Sequence, residues 1–145
     1  MKTQYRPRLT KQEYQQIIEQ RANNERNVLV IGDLHCPFDL DEYLYFCIEQ
    51  YERFNCNQVV LIGDICDHHF SSYHEVSIDA DYTAKHELEF AIKRIARYYK
   101  HFNKVGTKVI IGNHDRIIMR KAQTSAIPSK WIKSYKEVLE VPNWD

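Results

Sequence analysis

Three short apolar runs constrain this chain more than any other feature. Residues 27–31, 58–62 and 107–111 are rich in Val, Ile and Leu, and each run ends at a glycine: Gly32, Gly63 and Gly112. Their length and β-branched content suit buried strands of a parallel sheet. The segments between them carry apolar residues at helical spacing: Leu40, Tyr43, Leu44, Cys47, Tyr51 and Phe54, then Leu88, Ile92, Ile95, Tyr99 and Phe102. The order strand, helix, strand, helix, strand predicts a βαβαβ unit, an α/β domain with a mostly parallel sheet and flanking helices. Helices are expected at 10–26, from Asp39 and Glu42 onward, at 79–101, and near 116–122 and 129–140. Thr10 and Glu13 fit a capping box for the first of these, with Tyr14, Ile17 and Ile18 as its apolar face.

A length of 145 residues allows one domain, with residues 1–26 as an N-terminal helical extension. Twenty basic and twenty acidic side chains give zero formal charge, which excludes a strongly basic nucleic-acid coat protein and an acidic tail. No apolar run is long enough to span a bilayer, and residues 1–19 lack the apolar core of a signal peptide. Cys36, Cys47, Cys56 and Cys66 form no Cys-x-x-Cys pair, so a zinc knuckle is unsupported and reduced thiols are expected. These features place the chain in the cytoplasm, with no membrane contact.

Right-handed crossovers put the C-terminal ends of all three strands on one edge of the sheet, where ligands of open α/β sheets bind. Three segments should therefore meet: Gly32-Asp33-Leu34-His35, Gly63-Asp64-Ile65-Cys66-Asp67 and Gly112-Asn113-His114-Asp115. Carboxylate, imidazole and amide donors together suit Mn²⁺, Fe or Zn²⁺ better than Ca²⁺. Two such ions about 3.5–4 Å apart would clamp a phosphoryl group and supply hydroxide at neutral pH.

In order and spacing, Asp33-x-His35, Gly63-Asp64-x-x-Asp67 and Gly112-Asn113-His114-Asp115 resemble the first three motifs of the calcineurin-like metallophosphoesterases. The resemblance implies an αββα sandwich, of which this chain would form the N-terminal half. It implies a phosphoesterase with two divalent metals, Mn²⁺ foremost and Fe, Zn or Ni as alternatives, acting through a bridging hydroxide. Asp33 and His35 would bind the first metal, Asp64 would bridge both, and Asn113 would bind the second and touch phosphate. His114 would be the catalytic imidazole and Asp115 the carboxylate that orients it. Asp67 would steer a site histidine from behind. Many members carry Arg just after the Asp of the second motif; here His68 stands there as a substrate contact. The family completes its second metal site with later histidines, whereas no histidine follows His114. The chain is therefore expected to be part of a longer enzyme, with one sheet face left bare and prone to association.

Simpler readings compete. Asp33 and Asp64 taken singly are ordinary helix caps or turn residues. Asp67-His68-His69 also spells the signature of the DHH phosphoesterases, but the further aspartate motifs of that family are missing. His69 is a second contact candidate in the same loop, while His86 and His101 read as helix-surface residues. Lys93, Arg94, Arg97, Lys100, Lys104, Arg116, Arg120, Lys121, Lys130, Lys133 and Lys136 make the second half locally basic. That pattern reads first as solvated helix faces and second as steering of a phosphate-rich partner such as nucleic acid. Trp131 and Tyr135 read as packing residues. A nuclease of the same fold and a non-catalytic binding module remain as rival functions, and the oligomeric state stays open.

Overall fold

The computed structural model describes residues 10–23, 26–80 and 83–145. Its elements are α1 (Lys11–Ala22), β1 (Val28–Ile31), α2 (Asp41–Arg53), β2 (Gln58–Leu61), α3 (Ala84–Phe102), β3 (Thr107–Val109), α4 (Ile117–Thr124) and α5 (Tyr135–Val138). Single 3-10 turns occur at His69–Ser71 and Ser129–Trp131. The three strands are parallel and lie in the order β1-β2-β3. The expected βαβαβ unit is present. The capping box at Glu13 and the apolar face through Ile17 rest on side chains outside the described residues.

Consecutive parallel strands laid side by side, joined by right-handed crossovers, place both connecting helices on the same face. The burial pattern agrees. Ile31, Val59 and Leu61 are buried together with Leu44 and Cys47 of α2 and Ala91, Ile95, Tyr98 and Phe102 of α3. Along α3 these four recur at the three- and four-residue spacing of one helix face. Of the predicted stripe Ile95 and Phe102 are buried, whereas Leu88, Ile92 and Tyr99 are only partly buried and Ala91 and Tyr98 take the inner positions. The opposite sheet face carries Val28, Val30, Ile62 and Ile110, between 41% and 56% exposed. The runs are continuously apolar, as sheets covered on both sides require, yet one side has no cover among the described residues.

Two buried carboxylates tie loops to α3. Asp39, expected to open α2, instead accepts a two-pronged bond from Arg94 at 2.8 and 2.9 Å, and a third from the Tyr98 hydroxyl at 3.2 Å. The cap position of α2 falls to Leu40. Arg94 is thus a structural fork on a nearly inaccessible carboxylate rather than part of a solvated face. Glu87, only 3% exposed, accepts the backbone N–H groups of His69 and Phe70 at 2.6 and 3.0 Å. It thereby holds the His-rich loop that follows β2. Thr83 caps α3 through the His86 N–H, several residues later than the predicted start.

The last residues complete the core. Leu139, Val141 and Trp144 are buried, and Trp144 packs edge-on against Tyr99 with ring centroids 5.7 Å apart. Asp145 extends the sheet beside β3: its N–H donates to Thr107 and its carbonyl accepts from Val109.

The bare sheet face has a direct consequence. The chain is expected to self-associate in sedimentation velocity at micromolar concentration. Val30→Thr with Ile110→Thr should shift it toward monomer, since both residues sit on that face. A monomeric wild type would show that four half-exposed aliphatic side chains do not suffice to drive association.

Candidate metal centre

β1 and β2 end in step. Val28 faces Gln58 in the ladder, and beyond the strands Cys36 faces Cys66 at the same offset. The His35 N–H donates to Asp64 O, the Cys36 N–H to Ile65 O, and the Asp67 N–H to Cys36 O, at 2.8 to 3.0 Å. Two loops of equal length therefore bulge together and close again. Buried Leu34 and Ile65 anchor them.

The backbone within these loops is unusual. Asp33, His35, Asp64 and His68 all have φ between 44° and 53°, the left-handed region that side chains other than glycine avoid. Each such residue costs on the order of 1 kcal/mol, and such conformations gather at functional sites. Two glycines allow the third loop to join. Gly63 has φ +105°, and a Cβ there would lie 2.6 Å from the Gly112 nitrogen. A Cβ on Gly112 would lie 2.1 Å from Asp64 Oδ1. The ends of β2 and β3 touch only because both positions lack a side chain.

Asp115 secures that contact. Its Oδ2 accepts the N–H groups of Asp64 and Gly112 at 2.8 and 2.9 Å, and its Oδ1 accepts those of Ile65 and Cys66 at 3.0 and 3.4 Å. The sequence reading gave Asp115 the task of orienting His114. The structure places its carboxylate on backbone amides instead, because the close approach of the two strand ends presents four donors to one acceptor group. Asp64 Oδ1 in turn accepts the His114 N–H at 2.9 Å.

His114 is oriented by Asp67. Its Nδ1 lies 2.5 Å from the Asp67 carbonyl and 3.7 Å from Asp67 Oδ1. His35 Nδ1 lies 2.7 Å from that same Oδ1, and His69 Nδ1 lies 4.0 Å from Oδ2. A carbonyl only accepts, so Nδ1 of His114 carries a proton and Nε2 is the nitrogen left to other partners. The rings of His35 and His114 meet edge-on, with centroids 4.6 Å apart.

Two overlapping sets of donors result. Asp33, His35 and Asp64 bring one ligand atom each within 4.8 Å of one another, and so do His35, Asp67 and His114. Carboxylate oxygens and imidazole nitrogens at that spacing fit a divalent transition metal. Among the described residues nothing pairs with the Asp33 carboxylate. Asn113 lines a shallow cavity of about 410 Å³ together with Gly112, Arg116 and Arg120. His68 lines a different, largely apolar cavity of about 580 Å³ with Glu87 and Asp115. Burial holds its imidazole below the usual histidine range. Burial also raises the Cys66 thiol to about 12 and raises Cys36 further, so neither is a thiolate nucleophile. The role of Asp115 has no sequence signal of its own, because its partners are backbone amides some fifty positions away.

Asp115→Asn tests this geometry. The amide would turn two N–H donors toward backbone N–H groups, leaving them unsatisfied. A loss of about 3 kcal/mol in urea unfolding is expected. Unchanged stability would mean that the four amides do not depend on this carboxylate.

The model of the calcineurin-like phosphoesterase family matches residues 26–145. No curated protein and no solved structure matches the chain. The three-stranded parallel sheet with its flanking helices is consistent with the N-terminal half of the metallophosphoesterase fold. No helix among the described residues is long and apolar enough to cross a membrane. With the match covering most of its length and donor clusters at the ends of its strands, the chain belongs to the calcineurin-like phosphoesterase family, a family of metal-dependent phosphoester hydrolases.

Proposed function

We propose that this chain hydrolyses phosphomonoesters or phosphodiesters with two divalent cations, Mn²⁺ foremost, held by Asp33, His35, Asp64 and Asn113. The observation that carries this reading is the convergence of Asp33, His35 and Asp64 within 4.8 Å on loops held in left-handed conformations. Bound there, such cations polarise phosphoryl oxygens and acidify water. Four unpaired buried thiols fit a reducing, cytoplasmic setting.

The protein's own groups do the rest. Asp67 fixes two imidazoles at once: it takes the Nδ1 proton of His35 on its carboxylate and that of His114 on its carbonyl. Each histidine then presents Nε2, His35 as a metal ligand and His114 as an acid–base group. Protonated at Nε2, His114 donates to the leaving oxygen as the P–O bond breaks and is left neutral. The Asn113 amide N–H donates to a non-bridging phosphoryl oxygen. His68, kept neutral by burial, offers one further N–H to the substrate. Asp115 acts by holding the loops together.

A non-catalytic binding module accounts less well for the same loops. Four left-handed side-chain positions cost stability, and a scaffold gains nothing from them.

Mn²⁺-dependent turnover of bis(p-nitrophenyl) phosphate should fall about 100-fold or more in Asp64→Asn. Equal rates in variant and wild type would remove Asp64 from the centre. In Asp67→Asn, calorimetric Mn²⁺ affinity should fall about 10- to 100-fold with the circular dichroism spectrum retained. Unaltered affinity would mean that Asp67 does not position His35.

A further inference from the structure

Beside Asn113, the start of α4 carries two arginines that make no ion pair among the described residues. Arg116 is its cap residue and Arg120 lies one turn on; both are exposed, and both line the shallow cavity of about 410 Å³ shared with Gly112 and Asn113. Among the described residues no carboxylate pairs with either, whereas Arg94 is locked on Asp39. The first turn of α4 holds no acidic residue, and Arg116 stands at the positive end of the helix dipole. Arg120 is not loose: its guanidinium carbon lies 5.7 Å from the ring centre of Tyr73, and the Lys121 ammonium lies 5.2 Å from the same ring. Lys121 also donates to the Ser72 carbonyl at 3.2 Å. The loop after β2 thus props Arg120 toward a fixed position.

An anion in that cavity would relieve the dipole conflict at Arg116, meet a held guanidinium at Arg120 and lie next to Asn113. Arginine forks match phosphate oxygens in pairs. We propose that Arg116 and Arg120 form a subsite for a second phosphate, so that the preferred substrate carries at least two phosphates, one at the metal loops and one on α4. This deepens the phosphoesterase reading and rests on it for the position of the first phosphate. Two sources share this chemistry, a nucleic-acid strand and a nucleoside diphosphate.

The test is binding without turnover. Fluorescence anisotropy in EDTA follows a labelled twelve-residue oligothymidylate across a salt series, with ADP and AMP as competitors. Arg116→Gln with Arg120→Gln should weaken oligonucleotide or ADP binding about tenfold and lower the log–log salt slope by roughly 1 to 1.5. Arg116→Lys with Arg120→Lys should keep most of the slope and lose part of the affinity. Lys93→Gln with Lys100→Gln removes the same charge from the exposed face of α3 and should change neither. A loss confined to the oligonucleotide supports the subsite and names a strand; a loss confined to ADP supports it and names a nucleotide. No loss with the arginine pair removed, or an equal loss with the lysine pair removed, overturns the proposal. Metal-dependent hydrolysis is scored separately with Asp64→Asn, so an inactive chain that still binds through its arginines would sink the phosphoesterase reading alone.

Discussion

One carboxylate organises the functional edge of this sheet. Asp115 accepts four backbone N–H groups, three from the loop after β2 and one from the end of β3. Without it, those amides would point at one another across the Gly63–Gly112 contact with no acceptor. With it, the two loops become one body, and the positions of Asp64 and His114 follow. The His114 N–H falls on Asp64 Oδ1, and its ring comes to rest on the Asp67 carbonyl. Asp115, the residue that follows His114, thus acts on its position through backbone geometry rather than through a bond to its ring.

Asp67 has the complementary task. It lies on the same loop that Asp115 fixes, and it touches both histidines by their Nδ1 atoms. A single residue therefore sets two tautomers, one through its side chain and one through its main chain. Glu87 does for the His69–Ser71 turn what Asp115 does for the strand-end loops. In all three cases a carboxylate is buried or half-buried against N–H donors. Desolvation is repaid by charge-assisted hydrogen bonds rather than by a cation. Removing any one of them leaves several donors unsatisfied at once, which concentrates the fold's polar stakes in a few side chains.

Much of this was legible in the sequence because it depends on local pattern. Three apolar runs ending in glycine gave three parallel strands, and the residues after each glycine meet where crossover handedness puts them. The partition of labour among the acids was not legible. Asp39 follows an expected helix-start pattern, yet it is claimed by Arg94 from α3. Asp115 follows the histidine it was expected to orient, yet amides from another loop claim it. A carboxylate's partner is decided by which unsatisfied donors the tertiary fold brings near, and sequence spacing carries no record of that. The third strand also stops at Val109, short of its apolar run, although the Ile110 N–H still donates to the Leu61 carbonyl at 2.8 Å. Beyond that bond the chain turns to bring Gly112 against Gly63.

The topology that builds the site also leaves the bare face. Strands laid in the order β1-β2-β3 with crossovers of one hand must carry α2 and α3 together on one side. That arrangement buries Ile31, Val59 and Leu61 and sends all three loops to a common edge, where they bond to one another. Nothing in the hydrogen bonding of these loops calls on the opposite face: among the described residues the hydrogen bonds of the Asp115 and Asp67 side chains run between the strand-end loops themselves. The exposed Val28, Val30, Ile62 and Ile110 are therefore a matter of solubility and association, and the donor geometry at the edge is set without them.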